Sequence, residues 1–315
     1  MTNVLSGEQG NQPASTLPPA ETRVHEPRVL FIVSNDNRIL KPKSEGDQGH
    51  KTGMYLPEIA HIWVPLAKRV AIEVASPNGG AYFLDESSVE QYKDDPLCKE
   101  FMTDDTAQGL RFNTKTIEHC KADDYIGIVI PGGHGPMFDL ADSGRKHVHE
   151  FIAAVWENEH KGFVASVCHG PAALLEVVLP SEGRRLIEGK KVTSFSDEEE
   201  KEMGLVDQVP FLLEAKIKEY GGQYTKASKP WDVHVVSDGR LLTGQNPNSA
   251  RPLADAILSQ ISAMLSKGLQ HDPVQGKSEA DVAKSHDKGA GAKKGEREHV
   301  AVGEKSEEVK GPIAA

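Results

Sequence analysis

Between residues 27 and 266, apolar runs of strand length alternate with segments of helical periodicity. The predicted strands occupy runs at residues 28–35, 70–77, 125–135, 162–167 and 191–196. Most of these runs are nearly continuous in apolar residues, which is typical of strands buried on both faces of a parallel sheet. Residues 57–70 repeat apolar positions every three or four residues behind a proline, as an amphipathic helix does. The alternation predicts one α/β domain with a doubly wound, mostly parallel sheet and helices on both faces.

The two ends of the chain and one internal stretch depart from this rhythm. Residues 1–26 are rich in polar residues and proline, and residues 267–315 hold nine acidic and nine basic residues with no aromatic residue. Such segments cannot bury enough apolar surface to offset their ordering entropy, so both are predicted to be disordered. Residues 78–116 are predicted to be an insertion in the α/β domain. Towards the C-terminal end of the domain, residues 233–246 predict a hairpin with an Asp-Gly turn.

Composition excludes several classes of protein. The net charge of −11 argues against a nucleic-acid binder, because no basic surplus can displace counterions from phosphates. No apolar run has the roughly 18 residues that a membrane helix needs, and the first twenty residues do not resemble a secretory signal. The three cysteines have no C-x-x-C spacing, which excludes a zinc ribbon and a disulfide framework. We therefore expect a reduced, cytoplasmic protein.

Candidate chemistry centres on Cys168, within the segment Ala165-Ser166-Val167-Cys168-His169-Gly170-Pro171. A small residue two positions before a nucleophile and a glycine two positions after it are what a sharp strand-to-helix turn requires. A helix following the turn would direct its N-terminal amides at the sulfur and lower the thiol pKa. A buried packing role is the alternative, and we accept it for Cys98 and Cys120. For Cys168 the turn favours a nucleophile.

Four segments in this order resemble motifs of the ThiJ/PfpI superfamily, whose fold is similar to that of class I glutamine amidotransferases and flavodoxin. Besides the Cys168 turn, they are residues 52–61, 131–140 and 230–250, which resemble the glutamate motif, the oxyanion loop and the C-terminal signature. The form Pro131-Gly132-Gly133-His134-Gly135 and the insertion point to the larger branch of heat-shock chaperones and glyoxalase III enzymes. The resemblance covers the α/β domain and neither end of the chain.

The resemblance assigns roles to residues that would otherwise have ordinary structural explanations. Glu58, in the first turn of a helix, is expected to share a proton with Cys168, and its apolar neighbours would raise its pKa. Gly132 and Gly133 end a buried strand, so the Gly133 N–H can bind a substrate oxygen together with the His169 N–H. A simple glycine turn is the alternative. His134 would line the pocket or hold this turn.

His169, next to the nucleophile, needs a carboxylate to orient its imidazole. The candidates lie in Ser196-Asp197-Glu198-Glu199-Glu200, which could also be an ordinary acidic helix start. In related sequences the acid falls at the end of this segment. We therefore predict Glu200 as the partner, with Asp197 as second choice and Glu198 as third.

The activity implied is that of a glutathione-independent glyoxalase, which converts a small 2-oxoaldehyde such as methylglyoxal, with water, to D-lactate through a hemithioacetal of Cys168. Repair of aldehyde-modified amino groups would use the same adduct. No cofactor motif and no spacing of metal ligands occurs, and His50, His61 and His234 stand isolated in the sequence. The alternatives are a holdase chaperone with Cys168 as a redox sensor, binding unfolded clients, and, third, a cysteine peptidase. The family resemblance also implies a homodimer.

Overall fold

Strands and helices follow one another in the predicted alternation. The structure, a computed structural model, describes residues 27–40, 50–158 and 162–270. The strands are β1 (Arg28–Ile32), β2 (Ile39–Leu40), β3 (His50–Lys51), β4 (Ala71–Ser76), β5 (Lys115–Thr116), β6 (Gly127–Ile130), β7 (Phe163–Val167), β8 (Val178–Leu179), β9 (Arg184–Arg185), β10 (Lys191–Val192), β11 (Gln223–Tyr224), β12 (Val235–Asp238) and β13 (Leu241–Gly244). The α-helices are α1 (Leu56–Ala67), α2 (Glu86–Gln91), α3 (Pro96–Thr103), α4 (Asp105–Phe112), α5 (Pro136–Asp139), α6 (Lys146–Glu157), α7 (Asp197–Met203), α8 (Leu213–Glu219) and α9 (Ala250–Gln270). Short 3-10 helices span Ile117–His119, Ala122–Asp124, Gly170–Leu174 and Pro247–Ser249.

Seven strands of the described residues form the main sheet, in the order β12-β13-β7-β6-β1-β4-β5. Every neighbouring pair is parallel except β12 and β13, which form the predicted hairpin. The chain adds β4 on one side of β1 and later returns to the other side with β6, so the strand order reverses at β1. Open α/β sheets bind ligands at the carboxyl edge beside such a reversal. The predicted fold class is confirmed.

The two faces of the sheet bury separate apolar cores. Val29 and Phe31 of β1 share one core with α1, α3 and α9, whereas Leu30 and Ile32 share the other with α6 and the 3-10 helix after β7. Successive residues of a strand point to opposite faces, so an unbroken apolar run serves both cores. This is why the continuous runs in the sequence indicated a sheet covered by helices on both sides.

Several local expectations need correction. The turn at Cys168 is followed by a five-residue 3-10 helix rather than a longer α-helix, and the predicted strand at 191–196 is only β10, outside the main sheet. The predicted insertion contributes β5 to the sheet edge as well as α2, α3 and α4. At the C-terminal end, α9 continues to Gln270.

The chain divides into two units, Met1–Gly268 and Leu269–Ala315, and the first contains the whole sheet. The predicted N-terminal arm (residues 1–26) and the predicted tail beyond residue 270 lie outside the described residues. None of the helices in the described part of the chain combines the length and hydropathy that a membrane-spanning helix requires.

Candidate active site

The backbone turn after β7 presents Cys168 at the carboxyl edge of the sheet. Cys168 has φ of 59°, a left-handed conformation that residues other than glycine seldom adopt and that costs conformational energy. Its N–H donates to the Gly244 carbonyl at 3.0 Å, which helps to hold the turn. A Cβ on Gly170 would come within 2.3 Å of the Ile130 carbonyl oxygen, so only glycine fits there. The small residues around Cys168 therefore allow the close approach of β6 and β7.

Gly132 and Gly133 allow a second close approach, next to the sulfur. A Cβ on Gly132 would lie 2.5 Å from Glu58 Oε2 and 2.7 Å from Cys168 Cβ. Gly133 has φ of 96°, and a Cβ there would lie 2.2 Å from the Gly53 carbonyl oxygen. The Gly133 N–H faces the Cys168 sulfur. This amide is therefore placed to bind an oxygen on a carbon attached to that sulfur.

Glu58 lies in the first turn of α1 and is completely buried beside Cys168. Burial raises its pKa to about 8, although the Cys168 thiol and the Gly132 amide lie close enough to offset part of the rise. Neither carboxyl oxygen has a hydrogen-bond partner of good geometry. A carboxyl group in this environment stays protonated at neutral pH, because nothing nearby compensates its charge fully.

The Cys168 thiol is protonated at rest, which corrects the expectation that helix amides lower its pKa. Burial and the neighbouring Glu58 carboxyl raise the thiol pKa well above its ordinary value, and the Gly133 amide opposes this only in part. The 3-10 helix Gly170–Leu174 has no long run of aligned peptide dipoles to reverse the effect. Cys168 therefore needs a base to accept its proton as it reacts.

His169 is positioned to be that base. Its Nδ1 lies 3.4 Å from Cys168 Sγ, and its Nε2 lies 2.7 Å from Glu200 Oε2. A carboxylate at Nε2 assigns the proton to that nitrogen and leaves the Nδ1 lone pair facing the thiol. Burial, with the nearby His134, lowers the His169 pKa despite the opposing effect of Glu200. The imidazole is thus neutral at rest and able to take a proton.

Glu200 is the acid that the structure places against His169. Burial by itself would raise its pKa, but His169 and the hydrogen bonds from two imidazoles outweigh burial and lower it. The 2.7 Å distance falls in the predicted range of about 2.6–3.2 Å. Glu198 is exposed and lies near Lys226, as an ordinary helix acid would. Asp197 is only partly exposed, and its own N–H donates to Glu214.

His134 holds the other oxygen of the same carboxylate. Its Nε2 lies 3.0 Å from Glu200 Oε1, and its ring lies 4.1 Å from the His169 ring. The two histidines therefore donate to one buried acid, and His134 both lines the site and fixes Glu200. These three side chains could also hold a cation, since their ligand atoms lie within 4.8 Å of one another. A metal ion there would displace both Nε2 protons and remove the proton relay.

Sequence reasoning missed Glu199, which organises the far wall of the site. Glu199 is fully buried, and its Oε1 accepts hydrogen bonds from the Trp231 N–H, the Gln245 amide and the Asn246 amide. Its Oε2 accepts from Ser196 in a capping box. The Ser-x-x-Glu pattern is a helix-start signal that could have singled out Glu199 among its acidic neighbours.

Trp231, which lies within the predicted C-terminal signature at residues 230–250, completes an aromatic wall. Its φ of 68° is left-handed, and its indole N–H donates to Glu202 at 2.6 Å. Phe195 lies between it and His169, with ring separations of 5.5 Å to Trp231 and 4.5 Å to His169. Strained backbone of this kind persists where surrounding contacts determine it. Here those contacts come from the helix that carries Glu200.

Together the fold and this site define an α/β protein with a reactive cysteine at a strand-end turn, flanked by a buried acid and a histidine–carboxylate pair. Residues 103–260, half of the chain, match the model of the DJ-1/PfpI family. The chain belongs to the DJ-1/PfpI family, and the resemblance predicted from its motifs is confirmed.

Two relatives cover most of the chain. It is 33% identical over 245 residues to the glutathione-independent glyoxalase HSP31 of Saccharomyces cerevisiae, across 72% of this chain and 94% of the relative. It is 29% identical over 218 residues to glyoxalase 3 of Candida albicans, across 67% and 90% of the two chains.

Solved structures give the same picture. The crystal structure of glyoxalase III from Candida albicans matches with a TM-score of 0.66 and 28% identity, over 74% of this chain and 96% of that one. The Rapid Encystment Protein of 24 kDa from Francisella tularensis matches with a TM-score of 0.66 and 32% identity, over 74% and 98%.

Proposed function

We propose that this protein is a glutathione-independent glyoxalase that converts a small 2-oxoaldehyde and water to a 2-hydroxy acid, with methylglyoxal giving D-lactate. The observation that carries the proposal is the position of Cys168 between a proton donor and a proton acceptor. Glu58, protonated at neutral pH, lies beside Cys168. The Nδ1 atom of His169, which carries no proton, also faces the Cys168 sulfur. The names of the relatives from both yeasts support the same reaction.

The first step forms the covalent adduct. Cys168 Sγ bonds to the aldehyde carbon while its proton passes to His169 Nδ1, and the carbonyl π bond opens onto oxygen. The Gly133 N–H stabilises the developing oxyanion, and Glu58 donates its proton to it. Glu200 stabilises the imidazolium through Nε2 without taking its proton. The product is a hemithioacetal, with Glu58 now ionised.

The next steps move hydrogen between the two substrate carbons. Ionised Glu58 removes the proton from the former aldehyde carbon while protonated His169 donates to the neighbouring ketone oxygen, which gives an enediol. Glu58 returns its proton to the second carbon and takes the hydroxyl proton of the first, which leaves a thioester of Cys168. The first carbon is thus oxidised and the second reduced, with no external oxidant. His169 then takes a proton from water, the hydroxide displaces the sulfur, and the proton returns to the thiol.

The access to Cys168 favours a small substrate. Cys168 is only 4% exposed. Gly132 approaches it closely, and Phe195, whose N–H donates to the Cys168 carbonyl at 2.8 Å, packs against Trp231. A three-carbon aldehyde needs contact with one sulfur and one amide, whereas a peptide must lay several residues of extended chain across a nucleophile. This argues against the peptidase alternative.

The decisive experiment is incubation of the full chain with methylglyoxal in the absence of glutathione, followed by chiral analysis of lactate. We expect D-lactate from the wild type and from Cys120→Ser, and none from Cys168→Ser. Cys120 is a free, half-buried thiol and makes a matched control. D-lactate from Cys168→Ser at the wild-type rate, or none from the wild type, would overturn the proposal.

The same variant separates the chaperone alternative. If the protein holds unfolding clients on its surface, Cys168→Ser should suppress aggregation of a heated client as well as the wild type does.

We also propose, from the family resemblance, a cytoplasmic homodimer; the three free cysteines agree with a reducing compartment. Light scattering of the protein as it elutes from a size-exclusion column tests the dimer. We expect twice the mass of one chain, and a mass near 34 kDa would show that the dimer is wrong.

A further inference from the structure

A second group of reactive side chains lies where α1 meets the start of α3. It consists of His61, Asp95 and Cys98, which we call the α1–α3 cluster. His61 Nε2 lies 3.0 Å from Asp95 Oδ1 and 4.0 Å from Cys98 Sγ. The three ligand atoms all lie within 4.8 Å of one another. The sequence left His61 isolated and assigned Cys98 a packing role, so the interpretation of both residues changes with the structure.

Local structure explains why these side chains meet. Asp95 is the N-cap of α3, and its Oδ1 accepts the Cys98 N–H at 2.9 Å, which brings the two side chains to one point. The buried surface between α3 and α1 then places this point against His61, one turn after Glu58. His61 of α1 thus meets Asp95 and Cys98, which lie 34 and 37 positions further along the chain at the start of α3.

The geometry does not suit a nucleophilic triad. In a triad the two ring nitrogens contact different partners, so that a proton can pass from the thiol through the ring to the carboxylate side. In the α1–α3 cluster a single nitrogen, His61 Nε2, faces both Asp95 and Cys98. Three donor atoms of different chemistry directed at one point are instead the arrangement that a metal ion requires.

We propose that His61, Asp95 and Cys98 bind Zn²⁺. A tetrahedral zinc ion with bonds of about 2.0–2.3 Å holds its ligand atoms roughly 3.3–3.6 Å apart, so the two measured distances need change by less than about 1 Å. Nitrogen, carboxylate oxygen and thiolate sulfur are the donors that zinc takes in proteins. The His61 and Asp95 side chains are 17% and 26% exposed, which leaves room for water as a fourth ligand.

The charge and proton balance of binding is simple. The Cys98 Sγ–H bond breaks, its proton goes to solvent, and an Sγ–metal bond forms. His61 moves its ring proton from Nε2 to Nδ1 so that Nε2 can coordinate. Thiolate and carboxylate together supply two negative charges, which match the charge of the ion. The bound ion and its ligands are then neutral overall, so no net charge is left uncompensated at this site.

The proposed ion would join the 78–116 segment to the helix that carries Glu58. Cys98 and Asp95 belong to that segment, and His61 belongs to α1. The ion would therefore stabilise the folded chain by binding to it and not to the unfolded chain. It lies outside the Cys168 site and takes no part in the reaction proposed above.

The test is titration of the metal-free full chain with Co²⁺, which occupies zinc sites and gives a near-ultraviolet charge-transfer absorption when a thiolate coordinates it. We expect the band to saturate at one equivalent, to disappear on addition of one equivalent of Zn²⁺, and to be absent in Cys98→Ser. Cys168→Ser and Cys120→Ser should retain it. His61→Gln should weaken metal binding by more than about tenfold. Mutating a residue that only hydrogen-bonds to a metal ligand already lowers metal affinity by about 10–100-fold.

The controls separate this site from other metal binding. A cation at His134, His169 and Glu200 has no thiolate ligand and gives no such band. Zn²⁺ should also raise the thermal midpoint of the wild type and of Cys168→Ser, and raise it clearly less for His61→Gln, which keeps every cysteine. The proposal fails if the band is absent from the wild type, survives Cys98→Ser or depends on Cys168, or if Zn²⁺ shifts His61→Gln as much as the wild type.

Discussion

Replacing Glu58 with glutamine should change how stability depends on pH. The buried carboxyl has a pKa of about 8 in the folded protein, against an ordinary value of 4.5. Between these values the folded state holds a proton that the unfolded state has lost, so the free energy of unfolding falls as pH rises. With about 1.4 kcal/mol for each pKa unit, the loss between pH 5 and pH 8 is roughly 3–4 kcal/mol.

Urea unfolding of the wild type and of Glu58→Gln, at one-unit steps from pH 5 to pH 8 under reducing conditions, measures this term. Other groups titrate in the same range; the lowered pKa of His169 makes its own contribution rise with pH. That contribution is shared by both proteins, so the difference between them isolates Glu58. We expect the free energy of unfolding of Glu58→Gln, relative to the wild type, to be roughly 3–4 kcal/mol higher at pH 8 than at pH 5. Glu198→Gln, at an exposed position of α7, is the matched control and should follow the wild type.

Parallel pH profiles for the wild type and Glu58→Gln would refute the reasoning. They would mean that Glu58 is ionised in the folded protein at neutral pH and cannot donate a proton to the substrate oxygen. If the acid assignment is right, turnover of methylglyoxal by Glu58→Gln falls by roughly 10²–10⁴, the usual loss for a missing general acid–base group. The amide keeps the shape of the side chain but cannot carry the proton.

Three further predictions concern other residues of the Cys168 site. Glu200→Gln should lower kcat by roughly 10²–10⁴ with little change in thermal midpoint, because the amide no longer stabilises the imidazolium; Asp197→Asn should leave kcat nearly unchanged, and the reverse order of damage would move the acid to Asp197. Gly133→Ala should lower the free energy of unfolding by roughly 2–5 kcal/mol in urea, since it adds left-handed strain and a clash with a backbone oxygen at 2.2 Å; an unchanged midpoint would disprove the tight turn. Glu199→Ala should cost roughly 2–4 kcal/mol because it removes the acceptor of several buried donors, whereas Glu198→Ala at the exposed position beside it should cost little.

The fold class and the position of the nucleophile could be predicted from the sequence alone. Apolar runs long enough for strands, set between amphipathic segments, are compatible with few arrangements other than a covered parallel sheet. The small residues around Cys168 mark a turn in which larger side chains cannot fit. Both signals are local, because each depends on residues adjacent in the chain and on the periodicity of one element. The prediction of a helix after Cys168 was wrong because it also used only a local signal. The apolar residues in that segment fit a 3-10 turn and the following strand β8 equally well.

Contacts between side chains on different elements could be known only from the packed structure. Four neighbouring acids in the sequence are nearly equivalent, yet only Glu200 meets His169 and His134, while Glu199 turns toward the Trp231 loop. The protonation states follow from burial and from the charges that other elements bring near. That is why Cys168, expected to be a thiolate, is a thiol beside a protonated Glu58. A pKa is set by the whole three-dimensional surroundings of a group, and those surroundings exist only once the strands and helices have packed.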